Sequence, residues 1–425
     1  MAKKILLINN LLGPFGGGED VFLQTYHALV HAGCEVECFG TNKKPYFDDI
    51  NIRYKEYFPA YVDYDKAHST FEKLALLSKP FANPNAETGL DAVLKAFKPD
   101  LVHFHSIFWN LTPSVLKSCA KQGVPVVMTL HEARIICPAG TMMRGDNTYC
   151  DDVPCARGNT LPAVMNRCYD GSLTKSMLVA SEFLYRKLSK HFDYVHHFIC
   201  PSEALAELVV SRYGVPSEQV LAISNPIENS WFDLPTPTEV GQYFLFVGRL
   251  SKEKGVHTLL KAIKLADPTM PLKIIGTGPA EDELKKLARE LDLPNVEFLG
   301  FKAKADIVPY YQGAIATVVP SEWFETYGMT IVESLACGRP VIASRTGGPK
   351  NIIENSQAGH SFAMGNVNDL ASLLSECFQY PEKALALANK AQAYVRHECN
   401  LTHYETQLIT LYNKILEKEG AIHHV

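Results

Sequence analysis

Residues 243–255 read Tyr-Phe-Leu-Phe-Val-Gly-Arg-Leu-Ser-Lys-Glu-Lys-Gly. Five apolar residues without polar alternation describe a strand covered on both faces, the habit of parallel sheets. Gly248 then breaks the strand, and a helical pattern follows. Upstream, Asn225-Pro226 is a turn signal and Asp233–Gln242 is polar with two prolines, which predicts a linker. The strand at Tyr243 therefore opens a new series. Before it, short apolar runs at Lys4–Asn9, Cys34–Gly40, Leu101–His105, Pro125–Leu130, His197–Cys200 and Gln219–Ser224 alternate with helical patterns. After it come runs at Leu272–Gly276, Val296–Leu299, Ala314–Val319 and Pro340–Ala343, then helical patterns at 381–398 and 401–418. The expectation is α/β, with two doubly wound Rossmann-like domains, about 1–229 and 230–399, facing a deep cleft. Ligands of such sheets bind beyond the carboxyl ends of the strands.

The 425 residues are 47% apolar and 20% charged, which excludes disordered, collagen-like and low-complexity classes. Forty-one Lys and Arg against 46 Asp and Glu leave −5, too weak a field for a dedicated nucleic-acid binder. No secretory signal opens the chain, and no run approaches the ~20 apolar residues of a membrane-spanning helix. The expected location is a reducing cytoplasm, at the inner face of a membrane if the chain touches one. There the eleven cysteines are thiols or metal ligands, and the sequons at Asn110 and Asn400 are idle.

Chemistry-bearing residues gather after strands. Gly248 frees the backbone, while Arg249 and Lys254 place two cations beside a helix start, which suits a diphosphate. A solvated surface pair gives the same spacing. Gly276 and Gly278 permit a tight turn or close ligand approach. In 320–333, Pro-Ser-Glu-Trp-Phe-Glu-Thr-Tyr-Gly-Met-Thr-Ile-Val-Glu, Glu325 precedes a helix and Glu333 lies inside it. Carboxylates accept hydrogen bonds from vicinal hydroxyls, and a helix N-terminus favours phosphate. A nucleotide sugar carries both groups. Two glutamates on an ordinary helix remain the plain alternative.

The elements G-R-L-x-x-x-K-G, I-G-x-G-P and P-S-x-W-x-E-T-x-G-x-x-x-x-E-x-x-A-C-G-x-P-V-I-A-S resemble those of the family-4 retaining glycosyltransferases of GT-B fold. The likeness includes enzymes of bacterial surface polysaccharides. It implies that Glu333 holds the ribose hydroxyls and Glu325 those of the transferred sugar. Arg249 and Lys254 would neutralise the diphosphate, with Gly248, Gly276, Gly278 and the backbone at Tyr327, Gly328, Met329 and Thr330 contributing close contacts. It also implies that the last helix, 400–425, crosses back to the first domain. One departure stands out: Gly347-Gly348-Pro349-Lys350-Asn351-Ile352 carries Lys-Asn where the family often has Pro-Glu.

In the first domain Gly16, Gly17 and Gly18 lead into a helix and can form an anion nest or a flexible turn. His105 and His131 end strands. The resemblance places His131 near the reacting centre and lets His105 line the cleft, with His103 structural. Cys137, Cys150, Cys155 and Cys168 fall within 32 residues and could hold a structural Zn2+, or be free thiols. Arg157, Arg167, Lys175, Arg186, Lys187 and Lys190 outnumber Asp170 and Glu182 around apolar helical faces, which could rest on an anionic membrane or simply pack inward. The expected reaction moves a sugar from a UDP-, GDP- or ADP-sugar to the hydroxyl of a glycan or lipid-linked glycan. It proceeds with retention and without a catalytic metal or other cofactor. Rivals are a nucleotide-sugar epimerase of the same fold and a non-catalytic nucleotide-sugar binder.

Overall fold

The computed structural model describes residues 3–64 and 79–422. Contacts divide the chain into two compact units. One is the chain up to Ser224 together with the last helix from Leu401; the other is Asn225–Asn400.

The first unit holds β1 Lys4–Ile8, β2 Glu35–Phe39, β3 Leu101–Phe104, β4 Val126–Thr129, β5 His197–Cys200 and β6 Val220–Ala222. Their order is β2-β1-β3-β4-β5-β6 and every pairing is parallel. The order reverses between β1 and β3, where Ile8 lies beside Phe104. That is the switch point, and the loops leaving both strands carry Gly16–Gly18 and His105. The central strands β3 and β4 are buried throughout, as their apolar runs require. The last helix, Leu401–Ile422, lies against the helix Gly17–His31. Its buried Tyr404 places a hydroxyl 2.9 Å from Thr25 Oγ1, and buried Tyr412 sets its own 2.6 Å from His103 Nδ1.

The second unit holds β7 Tyr243–Val247, β8 Leu272–Ile275, β9 Val296–Phe298, β10 Ala314–Val319, β11 Val341–Ser344 and β12 Gly359–Phe362. All pairings are parallel in the order β12-β11-β10-β7-β8-β9. Here the reversal falls between β7 and β10. Strand β7 shows why it anchors the unit: Phe244 and Phe246 enter one core while Tyr243 and Leu245 enter the other. Each sheet face is thereby sealed by helices, and the strand ends are left for the loops.

Three features differ from the sequence expectation. The polar stretch 233–242 is packed onto the second unit rather than spanning between units: Trp231 is buried against Tyr311, Gln392 donates to Leu234 O, and Arg339 donates to Glu239 O. β12, reading Gly-His-Ser-Phe, carries too few apolar residues to announce itself. The helical pattern 381–398 is broken into Pro381–Leu385 and Ala388–Glu398.

Tyr412 tests the docking of the last helix. Tyr412→Ala removes a buried aromatic and strands His103, so it should cost about 3–5 kcal/mol in chemical denaturation of the first unit. Tyr412→Phe should cost about 1–3 kcal/mol, the penalty of the unpaired imidazole. A negligible loss in both would show that the helix is not part of that cooperative unit.

Candidate functional site

At the carboxyl end of the second sheet four loops meet. Gly276 has φ 133° and sits so close that a Cβ there would lie 1.9 Å from the Gly248 carbonyl oxygen. Only glycine fits, and the loops after β7 and β8 lock together, with Leu250 N donating to Thr277 O at 3.0 Å. Gly347, at φ 43°, plays the same part after β11, where a Cβ would lie 2.0 Å from the carbonyl oxygen of Glu325. Gly348 N then donates to that oxygen at 2.8 Å. Thr330 Oγ1 reaches Val247 O at 3.5 Å and ties the helix Met329–Ala336 to the end of β7.

Within this frame Lys254 Nζ lies 2.7 Å from Glu325 Oε2, with both side chains largely buried. The same oxygen accepts from Trp323 Nε1 at 2.9 Å and Ser321 Oγ at 3.2 Å, and the ammonium stands 4.8 Å from the centre of the Trp323 ring. Burial pushes the Glu325 carboxyl upward, but the Lys254 charge and these hydrogen bonds outweigh it and hold the pKa below its ordinary value. Arg249 is exposed one residue beyond Gly248. Glu333 Oε2 accepts from Tyr311 OH at 2.7 Å. Burial, then the neighbouring Glu333, keeps that phenol protonated and donating. The structure therefore brings Gly248, Arg249, Lys254, Gly276, Gly278, Glu325, Gly328, Met329, Thr330 and Glu333 to one end of one sheet. Tyr327 differs: its side chain is buried, with the hydroxyl 3.4 Å from Asn225 O and 3.2 Å from Cys399 Sγ, so only its backbone is left for a ligand. Tyr311, Trp323 and Ser321 escaped sequence reasoning. Tyr311 looks like any core aromatic, and only its contact with Glu333 reveals the role.

In the first unit Gly18 abuts His131, whose Cγ would lie 3.7 Å from a Cβ at position 18. His131 Nε2 is 2.8 Å from His105 Nδ1, and the rings stack at 5.0 Å. His103, 4.6 Å from His105, is saturated by Tyr412 and by Thr129 Oγ1 at 2.8 Å. Burial lowers His131 to about 4 and His103 to about 3, and it lowers His105 too, helped by its two neighbours. All three are neutral at pH 7. Asn9 joins the loops, accepting from Ser106 N at 2.8 Å and reaching Glu19 Oε1 at 3.5 Å. Burial raises Glu19 to about 7. Asn9 and Glu19 carried no spacing signal; their placement beside the glycine loop is what marks them.

Cys137, Cys150, Cys155 and Cys168 all line one cavity of about 330 Å³, yet among the described residues no three His, Cys, Asp or Glu side chains are grouped to hold a metal. The thiols neighbour one another: Cys155 feels Cys137, Cys168 and Cys150, and Cys168 feels Cys137 and Cys150. Cys137 takes backbone hydrogen bonds from Ala139, Gly140 and Met142, and Cys150 Sγ points to Asp152 Oδ1 at 3.4 Å. Burial raises Cys150 and Cys168 to about 11 and Cys155 to about 12, and for Cys155 and Cys168 the neighbouring cysteines add to it.

The histidine cluster makes a pH prediction. A buried neutral imidazole has its folded pKa below its unfolded value, so its stabilisation is full above about 6.5 and is lost as pH falls. For His131 the loss runs from about 6.5 to about 4; Glu19, raised to about 7, acts with the opposite slope and gains stability as pH falls below 7. Ring NMR signals should show His131, identified by their loss in His131→Asn, still neutral at pH 5.5. Titration near 6.5 would contradict the buried cluster.

The model of Glycosyltransferase Family 4 matches residues 15–231, and that of the Glycosyl transferases group 1 matches residues 234–394. Glycogen synthase of Mycobacterium tuberculosis is 25% identical over 304 residues, 70% of this chain, and the chain spans 64% of that protein's length. Among solved structures, sucrose-phosphate synthase from Thermosynechococcus elongatus aligns with a TM-score of 0.71 at 22% identity, covering 98% of this chain and 100% of that one. HepE of Anabaena in complex with UDP-glucose aligns at 0.63 and 18%, covering 97% and 99%. At these identities the structures establish the GT-B fold alone, two Rossmann-like α/β domains, whereas the family match covers β2 to β6 of the first sheet with its glycine loop and histidines: the chain belongs to Glycosyltransferase Family 4.

Proposed function

We propose that this chain transfers a sugar from a nucleotide diphosphate sugar to an acceptor hydroxyl in glycan or polysaccharide synthesis, with retention of anomeric configuration and without a catalytic metal. The observation that carries this reading is the Lys254–Glu325 pair at the β7–β10 switch point, in the loop that leads into the helix Met329–Ala336 bearing Glu333. It combines cations for a diphosphate with carboxylates for hydroxyls in one loop cluster. The HepE structure is described as a complex with UDP-glucose, which makes a uridine nucleotide the first donor to try.

In this reading the anomeric C–O bond breaks and its electron pair passes to a β-phosphate oxygen. Arg249, Lys254 and the helix amides stabilise the growing negative charge. Glu325 and Glu333 are acceptor-only groups when ionised, so they orient hydroxyls of the sugar and the ribose. Glu325 also holds the Lys254 ammonium before any donor arrives, which spares reorganisation during the reaction. Neutral His131 offers a hydrogen bond to the sugar. The leaving phosphate takes the acceptor's proton, and the new C–O bond forms on the face just vacated.

Loss of one such preorganised donor costs roughly 2.7–4 kcal/mol of barrier, about a hundredfold to a thousandfold in rate. Arg249→Ala and Lys254→Ala should therefore cut transfer severely while circular dichroism stays unchanged; near wild-type rates in both would sink the diphosphate assignment. Glu333→Ala should weaken nucleotide binding by at least about tenfold, the worth of one hydrogen bond to a charged group, and calorimetry reads it directly. Donor incubated alone and followed by NMR should yield no isomer. Appearance of an epimer would replace transfer by epimerisation.

A further inference from the structure

We propose that the outer face of the helix Leu173–Leu188, together with the adjoining short helix Leu161–Met165, docks on an anionic lipid bilayer. At 100° per residue, Leu173, Met177, Ser181, Leu184 and Leu188 fall in one stripe about 80° wide. The four apolar members are exposed, Leu188 at 73%. A separate stripe, Val179, Ala180 and Phe183, is buried and already supplies the packing that the helix needs. The outer leucines and methionine thus serve no core. Leu161, 62% exposed, and Met165, 71% exposed, stand four residues apart on the neighbouring helix, which packs on this one.

Scatter does not account for the arrangement. Sixteen large apolar side chains are exposed among the described residues, and eight of them lie between Leu161 and Tyr194. Single exposed apolar residues are ordinary, but a cluster of this kind marks an interaction surface.

Charge selects the occupant. Between residues 157 and 190 six cations face two carboxylates, in a chain whose net charge is −5. Arg186 is buried, and Lys187 is tied to Ala156 O, but Arg157, Arg167 and Lys190 are exposed around the apolar stripe. Lys175 pairs with Asp170 at 2.8 Å, Asp152 pairs with Arg144, and exposed Asp151 and Asp193 flank the segment. Apolar side chains ringed by long cations suit the boundary of headgroups and acyl chains, where the former insert and the latter meet lipid phosphates. A second copy docking on the same face would bring two cationic rims together. No described helix is long and apolar enough to cross a membrane, so the contact would be interfacial. This inference stands independently of the sugar-transfer reading.

The test is flotation of the purified full chain with vesicles of phosphatidylcholine and of phosphatidylcholine mixed with phosphatidylglycerol. The chain should float with the anionic vesicles about tenfold more than with the neutral ones, and added salt should release it. Met165→Glu/Leu184→Glu/Leu188→Glu, all at exposed positions, should abolish flotation without shifting the melting temperature. Arg157→Glu/Lys190→Glu should weaken it on anionic vesicles only. Absence of flotation, or equal flotation of wild type and the triple variant, would overturn the proposal. So would a dimer in light scattering that only the triple variant dissolves, since the face would then belong to a second copy.

Discussion

The second unit is organised around one charged contact, Lys254 with Glu325, held 2.7 Å apart and largely withdrawn from solvent. Removing two charges from water is costly, and their attraction repays it only when further hydrogen bonds complete the shell. Trp323 and Ser321 provide that shell. The contact also imposes a topology. Lys254 follows β7 and Glu325 follows β10, strands separated in sequence by the whole of β8 and β9. They meet because the sheet order reverses there. The loops after β7 and β10 then pass within backbone contact of each other, which is why glycine stands at 255, where a Cβ would lie 1.9 Å from the Pro320 carbonyl oxygen.

Much of this was legible because the physics is local. A five-residue apolar run such as Tyr243–Val247 has no stable place except a strand buried on both faces, and the glycine after it has no partner role unless the chain must turn. The polar pieces were harder. β12 pairs β11 at the margin of its sheet, where one side of the strand carries no hydrogen-bonded neighbour and half-polar Gly-His-Ser-Phe suffices. The stretch 233–242 reads as a linker by composition, yet backbone carbonyls at Leu234 and Glu239 find donors in Gln392 and Arg339, more than 90 residues away. No window along the chain contains that information. The same holds for Tyr311 and Tyr412, whose hydroxyls matter only through Glu333 and His103.

The four cysteines teach the complementary lesson. Spacing showed that they could meet, and they do line one cavity. Whether thiols become ligands depends on their protons and directions. Burial raises the pKa of each one, and Cys137 and Cys150 are already engaged by backbone amides and by Asp152. Proximity in sequence translated into proximity in space.

The two switch points differ in electrical character, and the difference follows from their neighbours. In the second unit cation and carboxylate are brought together, and Lys254 stabilises the ionised form of Glu325. In the first, His105 stacks on His131 and lies tilted against His103, whose ring nitrogens meet Tyr412 and Thr129. Protonating one would place a charge in an apolar setting beside two other imidazoles, so burial and mutual repulsion keep them neutral. A neutral imidazole both donates and accepts, and the His105–His131 contact needs one nitrogen in each role. Glu19, raised to about 7, is half neutral in the same loop cluster near physiological pH. The net charge of −5 says nothing of this contrast. It arises from which side chains each sheet gathers at its strand ends, an ion pair in one and neutral imidazoles in the other.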